Sequence, residues 1–348
     1  MGFILMSVLK YIISPTILLF SFATVQAASS DSQMSNAFSD PDYVANVGAD
    51  FQSREIRYEK DIKDADVVIS LGQQTYPALH TVVEDIAREQ GIKVVIQQGS
   101  CGATAKKLLN KMVDIGTYCC PPGKLDRLPG LEFHTLAIAP IALTTNPANP
   151  ISDVSTADAR KIFQGAYVSW SEVPGFNAAT DPLSGEKIQP VVRLHCKKRP
   201  GHWRLLLDNQ DMFSPRIRSV STIADMVKQV SDNTTAIGYE VPFMLNMHRD
   251  NGELKILSID GNQPDNLLKL LKAEYPLYRT YSMTTWSGKN NKNEKAEKLL
   301  AAIRDYIETK GAQYGFIPDS QLRLAGWKFR NDELVGEPNG APVISEHE

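Results

Sequence analysis

Short β-branched runs and helically spaced apolar residues alternate along the first half of the chain. The run at 66–71 is apolar and short, as a buried strand is, whereas apolar residues from 76 to 90 recur at helical spacing. The same reading predicts further strands at 92–97 and 114–118 and a second helix at 105–113. Since the order is β-α-β-α-β, we expect a parallel sheet with helices on its faces.

A second α/β unit is predicted after a break in the pattern. The long apolar stretch at 133–144 ends in Asn146-Pro147-Ala148-Asn149-Pro150, a sequence typical of a linker between lobes. The elements predicted beyond it are a helix at 155–164, a strand at 191–194, a helix at 222–230, a strand at 236–239, a strand near 280–285 and a helix at 294–309. The fold class expected is therefore α/β with two lobes, each a central, mostly parallel sheet flanked by helices.

The N-terminus has the pattern of an export signal. Lys10 precedes an apolar stretch at 11–23, and Val25-Gln26-Ala27 has the small-x-small form that signal peptidase cleaves. A membrane anchor is the alternative, but it needs about 20 apolar residues, and this stretch is shorter and contains Pro15. We therefore expect residues 1–27 to be a signal peptide and the mature protein to be periplasmic or secreted.

Length and charge limit the function classes. The roughly 320 residues that remain after cleavage are enough for two domains of ordinary size, and 43% of the chain is hydrophobic. The formal net charge of -3 argues against a general nucleic-acid binder, whose domain is strongly basic. We expect no nucleic-acid partner.

Candidate chemistry lies at the turn between the second predicted strand and the following helix. Small residues at 98–104 expose amide N–H groups at a helix start, a position that favours an anion. The turn contains Cys101, and the other cysteines are Cys119, Cys120 and Cys196. We expect these segments to line one cleft.

Six motifs follow one another along the chain. They are Gly99-Ser100-Cys101-Gly102-Ala103-Thr104; Asp114-Ile115-Gly116; Ile162-Phe163-Gln164-Gly165 with Trp170-Ser171-Glu172; Arg193 ahead of a turn; Ala236-Ile237-Gly238-Tyr239; and Tyr275-Pro276-Leu277-Tyr278-Arg279. In this order they resemble the phosphate-binding, substrate-capturing component of bacterial ABC importers, and the resemblance runs from about residue 66 to residue 318.

The resemblance implies a two-lobed type II periplasmic binding protein that closes on a small oxyanion. Lobe I would comprise residues 60–142 and 242–330 and lobe II residues 143–241, with an N-terminal extension at 28–59 and a polar tail at 331–348. The expected partners are a small inorganic anion and an ABC permease with its ATPase, or a membrane sensor. We expect a monomer without a cofactor or a resident metal, and a binding protein that is not an enzyme.

The family's oxyanion ligands carry over to four segments of this chain. They imply that the binding residues are Gln74, Thr75, Ser100, Cys101, Gly102, Ala103, Thr104, Cys119, Cys120, Arg193, His195, Cys196, Lys197, Lys198 and Arg199. The chain departs from the family because thiols replace some of the usual hydroxyl contacts. A thiol is a weak hydrogen-bond donor, so this site is unusual for a plain phosphate ion.

Three interpretations of the cysteines remain open at this point. Four cysteines in an exported protein commonly form disulfides, here between Cys101 or Cys196 and one of the adjacent pair Cys119 and Cys120. If all four converge as thiols, they suit a soft ligand such as arsenite, mercury or Cu(I). A hydrolase using Ser100 or Cys101 as nucleophile is the third alternative, with His195 or His202 as base for the cysteine.

Overall fold

The computed structural model describes residues 2, 38–177, 179–194, 207 and 212–340 of the 348. Of the sequence predictions, the signal peptide (Gly2 apart), the start of the N-terminal extension and the last eight residues of the tail lie outside the described residues. So does the turn after Arg193, with His195, Cys196, Lys197, Lys198 and Arg199.

Strands and helices alternate through most of the described chain. The strands are β1 (Val67–Gly72), β2 (Val94–Gly99), β3 (Ile115–Tyr118), β4 (Leu131–Pro140), β5 (Ala142–Thr145), β6 (Asp153–Val154), β7 (Gln189–Val192), β8 (Arg218–Ser219), β9 (Ala236–Glu240), β10 (Lys255–Ile256), β11 (Ser258–Ile259), β12 (Tyr278–Trp286), β13 (Ile317–Pro318), β14 (Lys328–Arg330) and β15 (Glu333–Gly336). The helices are α1 (Tyr76–Glu89), α2 (Cys101–Leu109), α3 (Thr156–Gln164), α4 (Ile223–Ser231), α5 (Pro242–Met247), α6 (Leu267–Leu271), α7 (Glu294–Lys310) and α8 (Asp319–Leu324).

A six-stranded sheet carries the first α/β unit in the order β13-β4-β12-β3-β1-β2. β1 lies between β2 and β3, is parallel to both, and is buried along its whole length. Because parallel strands end at the same edge, the segments that follow β1, β2 and β3 are brought together there. The long strands β4 and β12 pair antiparallel, from Tyr278 opposite Pro140 to Trp286 opposite Leu131.

The second sheet has five strands in the order β10-β5-β9-β7-β8. β9 and β8 flank β7 and run parallel to it, whereas β5 runs antiparallel to both β9 and β10. Both sheets are therefore mixed, which corrects the expectation of mostly parallel sheets. The physical reason is that the chain crosses between the sheets, so β5 and β12 enter their sheets without a helical crossover that would make them parallel.

The chain passes from the six-stranded sheet to the five-stranded sheet at Ile141. β4 ends at Pro140 and β5 begins at Ala142, so a single residue separates them. The amide of Ile141 donates to the carbonyl of Leu277 at 2.8 Å, and the hydroxyl of Tyr275 donates to the carbonyl of Ile141 at 2.8 Å. Leu277 directly precedes β12, where the chain is again in the six-stranded sheet. The two connections between the sheets are thus hydrogen-bonded to each other.

Helix α2 begins four residues earlier than the sequence pattern predicts. Cys101 is its first residue, and Ser100 is the N-cap in an extended conformation, with its hydroxyl accepting from the amide of Ala103 at 3.2 Å. This contact satisfies one of the amide groups that a helix start leaves without an intrahelical partner. The cap therefore places Cys101 in the first turn of the helix instead of in a loop.

The ends of the described chain pack on the six-stranded sheet. Phe51 from the N-terminal extension is buried with Trp286 of β12. Within the predicted polar tail, β15 is buried along its length, and its Glu333 accepts two hydrogen bonds from Arg127, at 2.9 and 2.6 Å. Both segments thus contribute to the folded body, which the polar composition of the tail does not indicate.

Candidate functional site

Three cysteine side chains meet at the carboxyl edge of the parallel strands. Cys101 opens α2, while Cys119 and Cys120 directly follow β3. The sulfur atoms of Cys101 and Cys119 are 3.2 Å apart, and all three sulfurs lie within 4.8 Å of one another. The three side chains are buried, with exposed fractions of 6, 7 and 2%. The strand order therefore brings Cys101 next to the adjacent pair Cys119 and Cys120, which begins 18 residues further along the chain.

The described cysteines are not joined to one another by a disulfide. The 3.2 Å between the sulfurs of Cys101 and Cys119 is well beyond a disulfide bond length of about 2.05 Å. Cys196 lies outside the described residues, so a disulfide that includes it stays a prediction. The histidine base of the hydrolase interpretation, His195 or His202, also lies outside the described residues and stays a prediction.

A buried group of charges lies beside the cysteines and joins the two sheets. Glu240 is the last residue of β9, Arg193 directly follows β7, and Arg279 lies in β12. Nη1 of Arg193 donates to Oε2 of Glu240 at 2.8 Å, and Nη2 of Arg279 donates to Oε1 at 3.5 Å. The exposed fractions of Arg193, Arg279 and Glu240 are 8, 5 and 1%.

The charges of this group determine the ionisation of Glu240. Burial alone would raise the pKa of the carboxyl, but the guanidinium groups of Arg279 and Arg193 and the amide of Val241 outweigh it, and the pKa lies below its ordinary value. Glu240 is therefore a carboxylate. Among the described residues, one carboxylate is thus shared by two guanidinium groups.

Arg193 also makes a hydrogen bond from one sheet to the other. Its Nη2 donates to Oε1 of Gln73 at 2.7 Å, and Gln73 lies in the turn after β1. Arg279 in turn points to the cysteines, since its Nη1 lies 3.7 Å from the sulfur of Cys119 and 3.5 Å from the carbonyl oxygen of that residue. The charged group thus connects the five-stranded sheet with the cysteine cluster on the six-stranded sheet.

The other predicted binding residues differ in how they are held. The hydroxyl of Thr104 is 2.8 Å from that of Ser70, and the hydroxyl of Thr75 is 3.0 Å from that of Thr117, all within the core. These two threonines support the turns around the site. Ser100 and Gly102, by contrast, are exposed at the start of α2, and Ala103 is half-buried there.

Gln74 is buried beside the charged group. Its side chain is only 3% exposed, and within the part of the chain that the structure describes its amide makes no hydrogen bond of normal geometry. It nevertheless lies close enough to Glu240 to contribute to the lowered pKa of that carboxyl. Gln74 is thus a polar side chain aimed at the meeting point of the two sheets.

Sequence reasoning missed three members of this site. Gln73 precedes the predicted Gln74, Glu240 directly follows the motif Ala236–Tyr239, and Arg279 ends the motif that begins at Tyr275. The sequence signal that could have identified these residues is their position beside or within the predicted motifs. What links them is the approach of the two sheets, which no local pattern shows.

Comparison with known proteins gives a family match over most of the chain. The family model described as a PBP superfamily domain matches residues 59–303. The phosphate-binding protein PstS 2 of Streptococcus agalactiae is 25% identical over 117 residues, which cover 33% of this chain and 40% of that protein. The match therefore spans well under half of that relative's length. The phosphate-binding protein PstS of Bacillus subtilis is 23% identical over 241 residues, 66% of this chain and 73% of its own.

Solved structures share the fold. An ABC-type phosphate transport receptor from Vibrio cholerae superposes with a TM-score of 0.56 at 19% identity, covering 72% of this chain and 99% of the receptor. A putative phosphate ABC transporter substrate-binding protein from Clostridium perfringens, with bound phosphate, gives 0.57 at 18% identity, covering 72% and 98%. No helix among the described residues is long and apolar enough to span a bilayer. With its two sheets flanked by helices and its family match over most of its length, the chain is a two-lobed α/β protein that belongs to the PBP superfamily.

Proposed function

We propose that the protein captures a small oxyanion of the phosphate type between its two lobes, for import by an ABC transporter. The observation that carries the proposal is the buried group of Arg193, Arg279 and Glu240, whose two guanidinium groups lie where the two sheets meet. The names of the relatives and of the superposed structures support the same class of ligand.

The start of α2 supplies the second element of the proposed site. Its exposed first turn at Ser100 and Gly102 presents backbone amides at the positive end of the helix dipole. Helix amides and guanidinium groups both form charge-assisted hydrogen bonds to oxyanions. Of the predicted ligands, Ser100 to Ala103, Gln74 and Arg193 are the ones we propose contact the anion, with Thr75 and Thr104 holding the turns.

Closure of the lobes is the proposed mechanism. Arg193 belongs to the five-stranded sheet and already contacts Gln73 on the six-stranded sheet. An anion that binds Arg193 and the start of α2 together contacts both lobes only when they are closed, so its differential affinity favours that state. We propose residues 60–142 and 242–330 as one lobe and residues 143–241 as the other.

The proposed cellular setting follows from the same assignment. After removal of residues 1–27 the protein would act in the periplasm or as a secreted protein. It would act as a monomer, without a cofactor, and deliver its ligand to a membrane permease with its ATPase. A membrane sensor is an alternative partner for the closed form. We propose that the protein binds its ligand without chemical conversion, and we assign no catalytic residue.

Isothermal titration calorimetry with phosphate, sulfate and arsenate tests this function. At least one of these ions should bind with one site per chain, and Arg193→Ala should weaken that binding by about 1.5–3 kcal/mol, or roughly 10- to 150-fold. Arg88→Ala is the matched control, because Arg88 is exposed on α1 and pairs only with nearby Asp85 in the described residues. Equal affinity in wild type and Arg193→Ala would remove Arg193 from the site, and no binding by any of the three ions would refute the function.

A further inference from the structure

The cysteine cluster at the proposed anion site has the features of a binding site for a softer ligand than phosphate. Cys101, Cys119 and Cys120 come from two separate segments, yet their sulfurs lie within 4.8 Å of one another. An ion bound to three sulfurs through bonds of about 2.3 Å holds those sulfurs roughly 3.4–4.0 Å apart, so side-chain rotations that draw the cluster slightly together would bind one ion with all three. Three buried thiols in one place offer a soft, trigonal set of ligands.

The surrounding charge selects among soft ligands. The guanidinium group of Arg279 lies 3.7 Å from the sulfur of Cys119, and Arg279 and Arg193 both contact Glu240. A guanidinium cation this close to the cluster disfavours the approach of free metal cations such as Cu(I) or mercury(II) and favours a neutral or anionic oxyacid.

We propose that Cys101, Cys119 and Cys120 bind trivalent arsenic, which enters the cleft as arsenous acid. The inference rests on the proposed function, since it uses the same oxyanion-binding cleft and assigns a second ligand class to it. Arsenous acid is an oxyacid of phosphate-like size, and its arsenic centre bonds to three thiols in a trigonal arrangement.

The binding step is a condensation without electron transfer. In As(OH)₃ each arsenic–oxygen bond is replaced by an arsenic–sulfur bond, and each displaced hydroxide leaves with one thiol proton as water. Three thiols and one arsenous acid therefore give one As(S-Cys)₃ unit and three water molecules. Arsenic stays trivalent and the sulfurs stay in the thiol oxidation state, so no oxidant or reductant is needed once the cysteines are reduced.

The test uses sodium arsenite with reduced, desalted protein. Intact mass spectrometry under native conditions should show one arsenic atom gained and three protons lost per chain, and three thiols should become unreactive towards a thiol reagent. Cys196→Ser tests whether the fourth cysteine takes part, and it should retain this adduct because the proposed site uses Cys101, Cys119 and Cys120 alone. Each of Cys101→Ser, Cys119→Ser and Cys120→Ser should weaken arsenite binding at least about tenfold, since even outer-shell partners of a bound ion are worth about 10- to 100-fold.

The outcomes separate this inference from the proposed function. Phosphate binding without an arsenic adduct would overturn the inference and leave the function in place. Unchanged arsenite affinity in all three single variants, or an adduct that requires Cys196, would also overturn it. An adduct without binding of phosphate, sulfate or arsenate would support the inference and refute the function. The wild-type mass and thiol count do not depend on variants, so they decide the question even if a serine variant fails to fold.

Discussion

Replacement of Glu240 by glutamine is the most direct test of the charged group between the sheets. The carboxylate is 1% exposed and lies 2.8 Å from Arg193 and 3.5 Å from Arg279. Glu240→Gln keeps the shape of the side chain but removes the carboxylate charge that two buried guanidinium groups contact. Removal of one partner from a buried ion pair typically costs about 3–5 kcal/mol. We expect a loss of stability of that size.

Urea unfolding followed by circular dichroism measures this loss. With a denaturant slope of about 3 kcal/mol per molar urea, the midpoint should fall by about 1–2 M. Glu274→Gln is the control, because Glu274 is an exposed partner of Lys269 and its loss should leave the midpoint unchanged. A fall of less than about 0.3 M in Glu240→Gln would refute the argument that this carboxylate balances the two arginines.

The same pair of proteins gives a pH test. The pKa of Glu240 in the folded protein lies below its ordinary value of 4.5. Its stabilising effect is therefore complete above about pH 4.5 and is lost as the pH falls through the lowered folded pKa. The difference in stability between wild type and Glu240→Gln should shrink as the pH falls below 4.5, and a constant difference down to pH 3 would contradict the assignment.

Three further substitutions test packing near the site and at the end of the chain. Gly116→Ala places a methyl group 2.6 Å from Cδ1 of Leu108. Overpacking should therefore lower the unfolding free energy, measured by urea titration, by about 1–3 kcal/mol. An unchanged midpoint would show that α2, which contains Leu108, can move to make room for the methyl group. Arg127→Ala removes the partner of buried Glu333, 2.6 Å away, and should lower the free energy of unfolding by about 3–5 kcal/mol. A decrease no larger than that of a surface substitution would contradict the conclusion that β15 is part of the core. Burial lowers the pKa of Lys111 to about 8 from 10.5. Wild type should therefore gain stability relative to Lys111→Met as the pH rises from 8 to 10.5. Parallel curves of unfolding free energy against pH for the two proteins would contradict this.

The positions of the main strands and helices follow from local pattern. The predicted helix at 294–309 is α7 at Glu294–Lys310, and the predicted strand at 236–239 is β9 at Ala236–Glu240. The start of α2 could not be read in the same way, because Gly102 favours neither helix nor strand and the apolar spacing begins only after it. The Ser100 cap decides that boundary, and its effect depends on one hydrogen bond.

Sheet direction and the charged group depend on tertiary structure. β10 has two residues, too few for a hydrophobic period, and it joins the five-stranded sheet only through β5. Glu240 has no feature in the sequence that separates it from an exposed acidic residue at the end of a strand. Its importance comes from Arg193 and Arg279, which lie 47 and 39 residues away in sequence. The cysteines could be singled out because their residue type is rare, with four in the whole chain.

The hydrogen bonds at Ile141 have a mechanical consequence. Because the residue between β4 and β5 is bonded to both Tyr275 and Leu277, we propose that the outgoing and returning strands share one pivot for closure of the lobes. A rotation of a few degrees about that pivot moves nearby atoms very little and distant atoms in proportion to their radius. Fluorescent labels for following domain motion should therefore be attached far from Ile141, where the same angular change gives the largest displacement.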